Sequence, residues 1–102
     1  TATVTQQQVN QSATQEQIGD ENTATIIQDG TFSGTGFDNV ATQLQDGSLN
    51  KATADQTGDT HFSSQLQEGM GNMSTVIQTG STNHSTVMSA GNTNTANVTQ
   101  SN

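Results

Sequence analysis

The most complete copy of a recurring pattern reads Gln17-Ile18-Gly19-Asp20-Glu21-Asn22-Thr23-Ala24-Thr25-Ile26-Ile27-Gln28. Its spelling Gln-x-Gly-x-x-Asn returns at residues 45–50, 67–72 and 78–83. With the Asn taken as position 0, units of 11 residues begin at residues 11, 22, 39, 50, 61, 72, 83 and 94, after a truncated unit over 1–10. Internal repetition of this kind indicates stacked repeats rather than a conventional globular fold.

One alternating set of positions within the unit is almost invariant. Position +2 is Ala or Ser in all nine units, position +6 is Gln in eight, and position +8 is Gly in seven. A nearly fixed residue type at every second position, together with many β-branched Thr, Val and Ile, is typical of a β-strand with one buried face. Each unit is therefore predicted to be a strand followed by a turn. The turn glycines, for which a positive φ is expected, are Gly19, Gly30, Gly47, Gly58, Gly69, Gly80 and Gly91.

The repeat predicts an all-β fold, a two-sheet β-solenoid with cross-β geometry. A single strand and turn cannot satisfy its own backbone groups, whereas units stacked about 4.8 Å apart satisfy one another. About nine strand-turn arms, two in each rung, would place positions +2, +4 and +6 in a thin interior. There Gln and Asn side chains can bond to copies one rung up and down. A helical coiled coil with the same period is disfavoured, because nearly every unit contains a Gly and many Thr, Asn and Ser.

The spacing is broken once, between Asn22 and Asn39, where 17 residues replace 11. The extra residues follow Gly30 and predict an enlarged turn or inserted loop over 31–38. The first arm, 1–10, is truncated and has Gln8 in the place of the turn glycine. For that arm the sequence is compatible with an ordered strand and with a disordered segment. The sequence otherwise predicts a single repeat domain over 1–102.

Composition excludes several classes of protein. Thr, Gln, Asn, Ser and Gly make up 63 of the 102 residues and only 26% are hydrophobic, so an ordinary apolar core cannot form. A net charge of −8 with a single Lys makes nucleic acid and anionic membranes poor partners. No apolar run approaches the roughly 20 residues of a membrane-spanning helix, so no membrane insertion is expected. The start at Thr1, without an apolar leader, fits a mature secreted protein and a trimmed chain equally.

No arrangement of side chains predicts catalysis or a bound cofactor. The chain has no Cys, and its two histidines, His61 and His84, occupy different phases of the repeat. A catalytic triad is not visible, and the acidic residues in the turns lack the spelling of calcium-binding β-rolls. We therefore expect no catalytic residue, no metal, no cofactor and no enzymatic activity.

The outward positions of the even-numbered arms carry large apolar side chains, namely Val40, Leu44, Phe62, Leu66 and Met88. This patch is a candidate lateral contact face for a second filament or another partner, because solvated sheets rarely keep such patches without a purpose. Apolar residues scattered over the surface, as in many proteins, are the alternative interpretation.

The alternation Gln-x-Gly-x-x-Asn-x-Ala-x-x-x-Gln, best matched from Gln17 to Gln28, resembles the curlin repeat of bacterial curli amyloid subunits. The resemblance extends over the chain apart from the insert. It implies a secreted subunit that polymerises with itself, end to end, into extracellular cell-surface fibres of the biofilm matrix that serve adhesion. It also implies a nucleator subunit and secretion or chaperone factors as partners. By this resemblance, assembly depends on the ladder residues Gln17, Gln28, Gln45, Gln56, Gln67, Gln78, Gln100, Asn22, Asn39, Asn50, Asn72, Asn83 and Asn94.

A capped β-solenoid that binds ice, or that forms an adhesin segment, is the alternative function. Outward threonines recur on alternate positions, as in Thr1-x-Thr3 and Thr23-x-Thr25, and a flat Thr array can bind ice. Lys51 and Met73 interrupt that array. The final arm also obeys the repeat instead of becoming irregular as a capping unit does. The sequence therefore favours the fibre subunit.

Overall fold

A computed structural model describes residues 1–8, 10–30 and 38–102, and this part of the chain contains nine strands and no helix. In chain order the strands are β1 (Ala2–Gln7), β2 (Ser12–Ile18), β3 (Thr23–Asp29), β4 (Val40–Ser48), β5 (Lys51–Asp59), β6 (Phe62–Met70), β7 (Met73–Ser81), β8 (His84–Asn92) and β9 (Thr95–Ser101). The described residues also include no helix long and apolar enough to cross a bilayer. The predicted all-β architecture with nine arms is confirmed.

The strands form two parallel sheets. The odd sheet has the order β1-β3-β5-β7-β9, and the even sheet has the order β2-β4-β6-β8. Consecutive strands alternate between the sheets, so two strands make one rung of a β-solenoid. The repeat sets the register: Ala24 pairs with Ala52 and Gln45 pairs with Gln67, so equal repeat positions lie directly over one another. This arrangement confirms the predicted two-sheet β-solenoid.

The interior is mostly polar. Within the described residues, 16 polar and seven hydrophobic residues are buried. Every second residue of β5 is buried, starting at Ala52, which is the predicted inward set of positions. The apolar core is small: Ile26, Ala41 and Ala54 pack together, with Ala13 against them. Because so little apolar surface is available, hydrogen bonds between amide groups must contribute much of the cohesion.

Two residues of each regular turn have a positive φ. Position +8 has φ between 95° and 122°; it is Gly in six turns and Gln8 in the first. Position +10 has φ between 57° and 69° and is Gly only once, at Gly71. The other residues at +10 carry side chains and are Asn10, Glu21, Leu49, Thr60, Thr82 and Thr93. This second left-handed position was not expected from the sequence, because its residue type varies from unit to unit.

Gly30 differs from the other turn glycines. Its φ lies outside the left-handed region, and a methyl group there would meet side-chain atoms of Gln8 and Gln11 at ordinary contact distances of 3.5 Å. The positive φ expected for Gly30 is therefore wrong, and Gly30 is the turn glycine after which the sequence departs from the 11-residue spacing. The insert itself, predicted over 31–38, lies outside the described residues except for Asp38.

Candidate functional site

The glutamines at position +6 form a hydrogen-bonded ladder within each sheet. Each Nε2 donates to the Oε1 of the Gln one rung further along the stack, over 2.8–2.9 Å. The odd-sheet ladder consists of Gln6, Gln28, Gln56, Gln78 and Gln100. The even-sheet ladder consists of Gln17, Gln45 and Gln67. The structure thus brings together all seven predicted ladder glutamines and adds Gln6.

The same side chains also join the two sheets. Gln56 Nε2 donates to the Val40 carbonyl at 3.0 Å, and Gln45 Nε2 donates to the Thr23 carbonyl at 2.9 Å, both across the interior. Gln78 uses both donors and also accepts from Gln56, while it is fully buried. Removal of one interior amide would leave buried partners without a hydrogen bond, which costs more than the lost bond itself.

A third amide ladder occupies position +4 of the even sheet. Gln15 donates to Gln43 at 3.1 Å and Gln43 donates to Gln65 at 2.7 Å. The ladder stops at β8, where Val87 is the register partner of Gln65, and Gln65 Nε2 turns to Ser74 Oγ at 2.6 Å. The predicted set of assembly residues omitted these glutamines, although the repetition of Gln at +4 in even-numbered arms could have indicated them.

Asparagines at position 0 form ladders at the turns. Asn22 Oδ1 accepts from the Asn50 amide N–H at 3.0 Å, and Asn50 Oδ1 accepts from the Asn72 N–H at 2.9 Å. The Asn72 Nδ2 donates to the carbonyls of Glu68 and Gly91, both at 2.9 Å. The Nδ2 groups of Asn22, Asn50 and Asn72 therefore each bind a carbonyl of their own turn and a carbonyl of the next turn along the same edge of the stack. The odd-sheet ladder contains Asn22, Asn50, Asn72 and Asn94, and the even-sheet ladder contains Asn39, His61 and Asn83.

His61 replaces an Asn in the even-sheet ladder and is 1% exposed. Its backbone N–H donates to Asn39 Oδ1 at 2.9 Å. The Asn83 N–H points at His61 Nδ1 at 3.3 Å, and His61 Nε2 lies 3.1 Å from the Thr57 carbonyl. An N–H requires an acceptor and a carbonyl requires a donor, so the neutral ring with its proton on Nε2 satisfies both contacts. In that tautomer, Nδ1 accepts as an Asn Oδ1 would and Nε2 donates as an Asn Nδ2 would.

The outer faces of both sheets carry apolar side chains, which form columns on the even sheet. On the even sheet Val40 pairs in register with Phe62, and Leu44, Leu66 and Met88 form a second column. The exposed fraction of Met88 is 74% and that of Phe62 is 37%. The odd sheet has its own exposed apolar residues, Ile27, Met73 and Ile77, which the predicted lateral contact face did not include. The structure therefore places the predicted patch on one outer face, and apolar side chains also lie on the other.

The remaining titratable groups form no reactive centre within the described residues. These residues contain no group of three or more His, Asp or Glu that could hold a metal, and no cavity. His84 is exposed on the even sheet and its ring packs against Phe62, with 4.6 Å between the ring centroids. The arrangement offers hydrogen-bonding edges rather than a pocket.

Both ends of the described stack are open. Val4 in β1 faces the interior but is 46% exposed, whereas its register partner Ile26 is fully buried. At the opposite end, Val98 and Gln100 in β9 are only half-buried, although Val76 and Gln78 beneath them are fully buried. Exposed strand edges of this kind are templates for pairing with another chain. The inward side chains and backbone groups of β1, β2, β8 and β9 are therefore the candidate site of interaction.

A family model for the curlin associated repeat matches residues 50–80, which contain β5, β6 and most of β7. Over this segment the chain is similar to the curlin associated repeat. The matched segment contains three fully buried ladder glutamines, Gln56, Gln67 and Gln78, together with His61. Strands outside the matched segment continue the same register. No curated protein and no solved structure matches the chain.

Proposed function

We propose that this chain is a structural subunit of an extracellular functional amyloid fibre, which serves the biofilm matrix and adhesion and has no catalytic turnover. Copies polymerise end to end by β-strand addition. The observation that carries the proposal is the pair of open ends, where inward residues such as Val4 and Gln100 are less buried than their register partners Ile26 and Gln78. The curlin repeat supports self-association as the function, and by the same similarity a nucleator subunit and secretion or chaperone factors are further partners.

Strand addition is supported by the direction of the ladder bonds. In every Gln-to-Gln bond of the +6 ladders, Nε2 donates toward the C-terminal end of the stack, as from Gln78 to Gln100 and from Gln6 to Gln28. The C-terminal end of the odd-sheet ladder therefore presents the Gln100 Nε2 donor, and its N-terminal end presents the Gln6 Oε1 acceptor. Head-to-tail joining of identical copies keeps this polarity and extends the odd-sheet ladder, because the Gln100 Nε2 donor then meets a glutamine Oε1 of the next copy.

Two neighbouring residues of β9 provide a matched test of the proposal. Val98 faces the interior and Thr99 faces solvent. In Val98→Lys an unpaired charge would be buried when the next copy is added, so growth at that end should stop. In Thr99→Lys the same charge stays on the outer face, so growth should continue. Seeded elongation followed by sedimentation and electron microscopy measures both, with circular dichroism to check that each variant keeps its β-structure.

We expect cross-β filaments from the parent chain and from Thr99→Lys. We expect no filaments from Val98→Lys. Equal growth of both variants would contradict addition at this end. A parent chain that stays monodisperse and folded at high concentration would overturn the fibre function. The capped alternative would then be tested by ice-growth inhibition, because Thr3, Thr25, Thr53 and Thr75 form one column on the odd sheet.

A further inference from the structure

The number of strands restricts how two copies of this chain can join. In the described part of these 102 residues, β1 and β9 both belong to the odd sheet, which has five strands, while the even sheet has four. If the next copy kept the same orientation, its β1 would lie on β9. The even sheet would then lack one strand at each junction. The facing edges of β8 and of the next β2 would stay unpaired inside the fibre.

Successive arms of the solenoid are related by a single repeated operation. Gln17 of β2 donates to the carbonyl of Thr1, 16 residues earlier, and Gln28 of β3 donates to the carbonyl of Ser12, also 16 residues earlier. The same equivalence holds at the turns, where Asn22 donates to the Gly47 carbonyl and Asn39 to the Gly58 carbonyl. Odd and even arms thus pack on their predecessors in the same way. The operation is a half-turn about the stacking axis with a rise of half a rung.

We propose that copies of this chain join by that same operation, so that each copy is rotated by 180° relative to the one before it. This inference rests on the proposed fibre function. In such a junction β1 of the incoming copy pairs with β8, and its β2 pairs with β9. Both pairs are parallel, because the half-turn exchanges the two sheets and reverses the strand direction. Each sheet of the fibre then contains nine strands for every two copies and has no gap.

The residues at the two ends fit this junction. Val4 of the incoming β1 would cover Val87, the one apolar residue at position +4 of the even sheet, instead of a Gln. Gln17 of the incoming β2 would continue the ladder from Gln100, as Gln100 continues it from Gln78. Gln6 would reach the Thr95 carbonyl, which corresponds to the bond from Gln17 to Thr1 inside one copy.

The unrotated junction has one point in its favour. It would place Ala2, Val4 and Gln6 over Ala96, Val98 and Gln100, which match in type. In the rotated junction Gln15 would lie over Val98, a pairing of Gln with Val that the subunit already contains at Gln65 and Val87. The rotated junction forms two strand interfaces and the unrotated junction forms one. The additional ladder of backbone hydrogen bonds outweighs one less favourable pair of side chains.

Engineered disulfides distinguish the two junctions, because the chain has no cysteine of its own. Thr3, Thr86 and Asn97 all occupy position +3 and are exposed. In the rotated junction, Thr3 of one copy lies next to Thr86 of its neighbour, about 4.8 Å away between Cα atoms, which a disulfide can span. In the unrotated junction Thr3 would lie next to Asn97. Within one copy neither pair can meet, since Thr3 is in the first strand of the odd sheet and the other two are at the far end.

The double variants T3C/T86C and T3C/N97C are assembled under reducing conditions, oxidised, and separated on a non-reducing denaturing gel. We expect a ladder of covalent multimers from T3C/T86C and monomers from T3C/N97C. The opposite result would overturn the rotated junction while leaving the fibre function intact. Failure of the unmodified chain to form filaments would overturn both.

Helical reconstruction from cryo-electron micrographs of the unmodified fibre is the second measurement. The rotated junction predicts a rise of about 22 Å per copy, equal to four and a half strand spacings, with a rotation near 180° apart from the sheet twist. The unrotated junction predicts a rise of about 24 Å without that rotation and with a missing strand in one sheet. The second pattern would also overturn the inference.

Discussion

At the scale of single residues, the turns restrict the residue type most strictly. Gly47 has φ +122°, and a methyl group on it would overlap the carbonyl of Gly69 one rung further along. Gly91 has φ +100°, but a methyl group on it would have Asn94 Nδ2 as its nearest neighbour, at 3.7 Å, because β8 is the last strand of the even sheet among the described residues. Glycine is thus required by close approach at Gly47, whereas at Gly91 the close approach arises only when another copy is added.

Alanine substitutions at these two glycines should therefore behave differently. Gly47→Ala should destabilise the isolated copy by at least about 1–3 kcal/mol, because backbone strain adds to the overlap. Gly91→Ala should leave the copy folded, with a smaller loss, and should slow fibre elongation strongly, because its methyl group points at the incoming copy. Urea unfolding and seeded growth measure the two effects. Normal elongation of Gly91→Ala would contradict stacking on β8.

The position of the proton on His61 is a second prediction at this scale. Since Nδ1 receives the Asn83 N–H and Nε2 faces the Thr57 carbonyl, the Nε2–H tautomer should predominate in the folded protein at neutral pH. Nitrogen-15 chemical shifts of the ring measure this directly. His84 on the outer face serves as the reference, because it makes no equivalent ladder contact. The Nδ1–H tautomer at His61 would contradict the ladder geometry.

At the scale of a strand, the inward and outward faces should respond very differently to the same charge. Gln78 is fully buried and hydrogen-bonded to Gln56, Gln100 and the Phe62 carbonyl, while its neighbour Thr79 is exposed. Gln78→Glu would bury an unpaired carboxylate and should cost roughly 3–5 kcal/mol at neutral pH. Thr79→Glu adds the same charge on the outside and should change stability by less than about 0.5 kcal/mol.

The pH dependence of these variants provides a further check. Desolvation should raise the pKa of the introduced carboxyl in Gln78→Glu above its value of about 4.3 in the unfolded chain. The protonated form resembles Gln, so the variant should be closest to the parent below about pH 4 and lose stability as pH rises through the folded-state pKa. Equal denaturation midpoints for the two variants at neutral pH would contradict a buried ladder.

The elements that could be predicted from the sequence are those fixed by alternation. Ala and Ser at +2 and Gln at +6 can face only a narrow interior, so strand positions, inward faces and the division into two sheets followed from spacing alone. The left-handed residues at +10 could not be predicted, since Leu49 and Thr82 are unusual at positive φ and are held there by the neighbouring turns. Gly30 lacks the positive φ of the other turn glycines, and it is the turn glycine at which the 11-residue spacing of the sequence is broken.

The candidate site was predictable in part for the same reason. The Gln and Asn ladders are repetitive, so their members could be named from spacing. Ladder ends depend on which strands lack a neighbour, and that requires the sheet order. Ile27 and Ile77 illustrate the difference: they lie in one column of the odd sheet with Asp55 between them, so no uniform apolar pattern marked that face in the sequence.

At the scale of the whole molecule, net charge opposes association. Each copy carries −8, so stacking brings like charges together. Raising the salt concentration from about 10 to about 150 mM shortens the screening length from about 30 to about 8 Å. We expect several-fold faster elongation at the higher salt, measured from a fixed amount of seed. An uncharged osmolyte at equal osmolarity is the control, and slower growth in salt would contradict the expectation.

The ladders of amides run along the stacking axis, parallel to the backbone hydrogen bonds between rungs. Tension applied along a fibre would load all bonds of a rung simultaneously, so no bond can yield before the others. Inside each copy the turns add a covalent connection from rung to rung, whereas no covalent bond crosses a junction. Such a fibre should be stiff and brittle, and it should fracture at the borders between copies. Every fracture would then expose two new growing tips, so mechanical breakage would multiply the fibres.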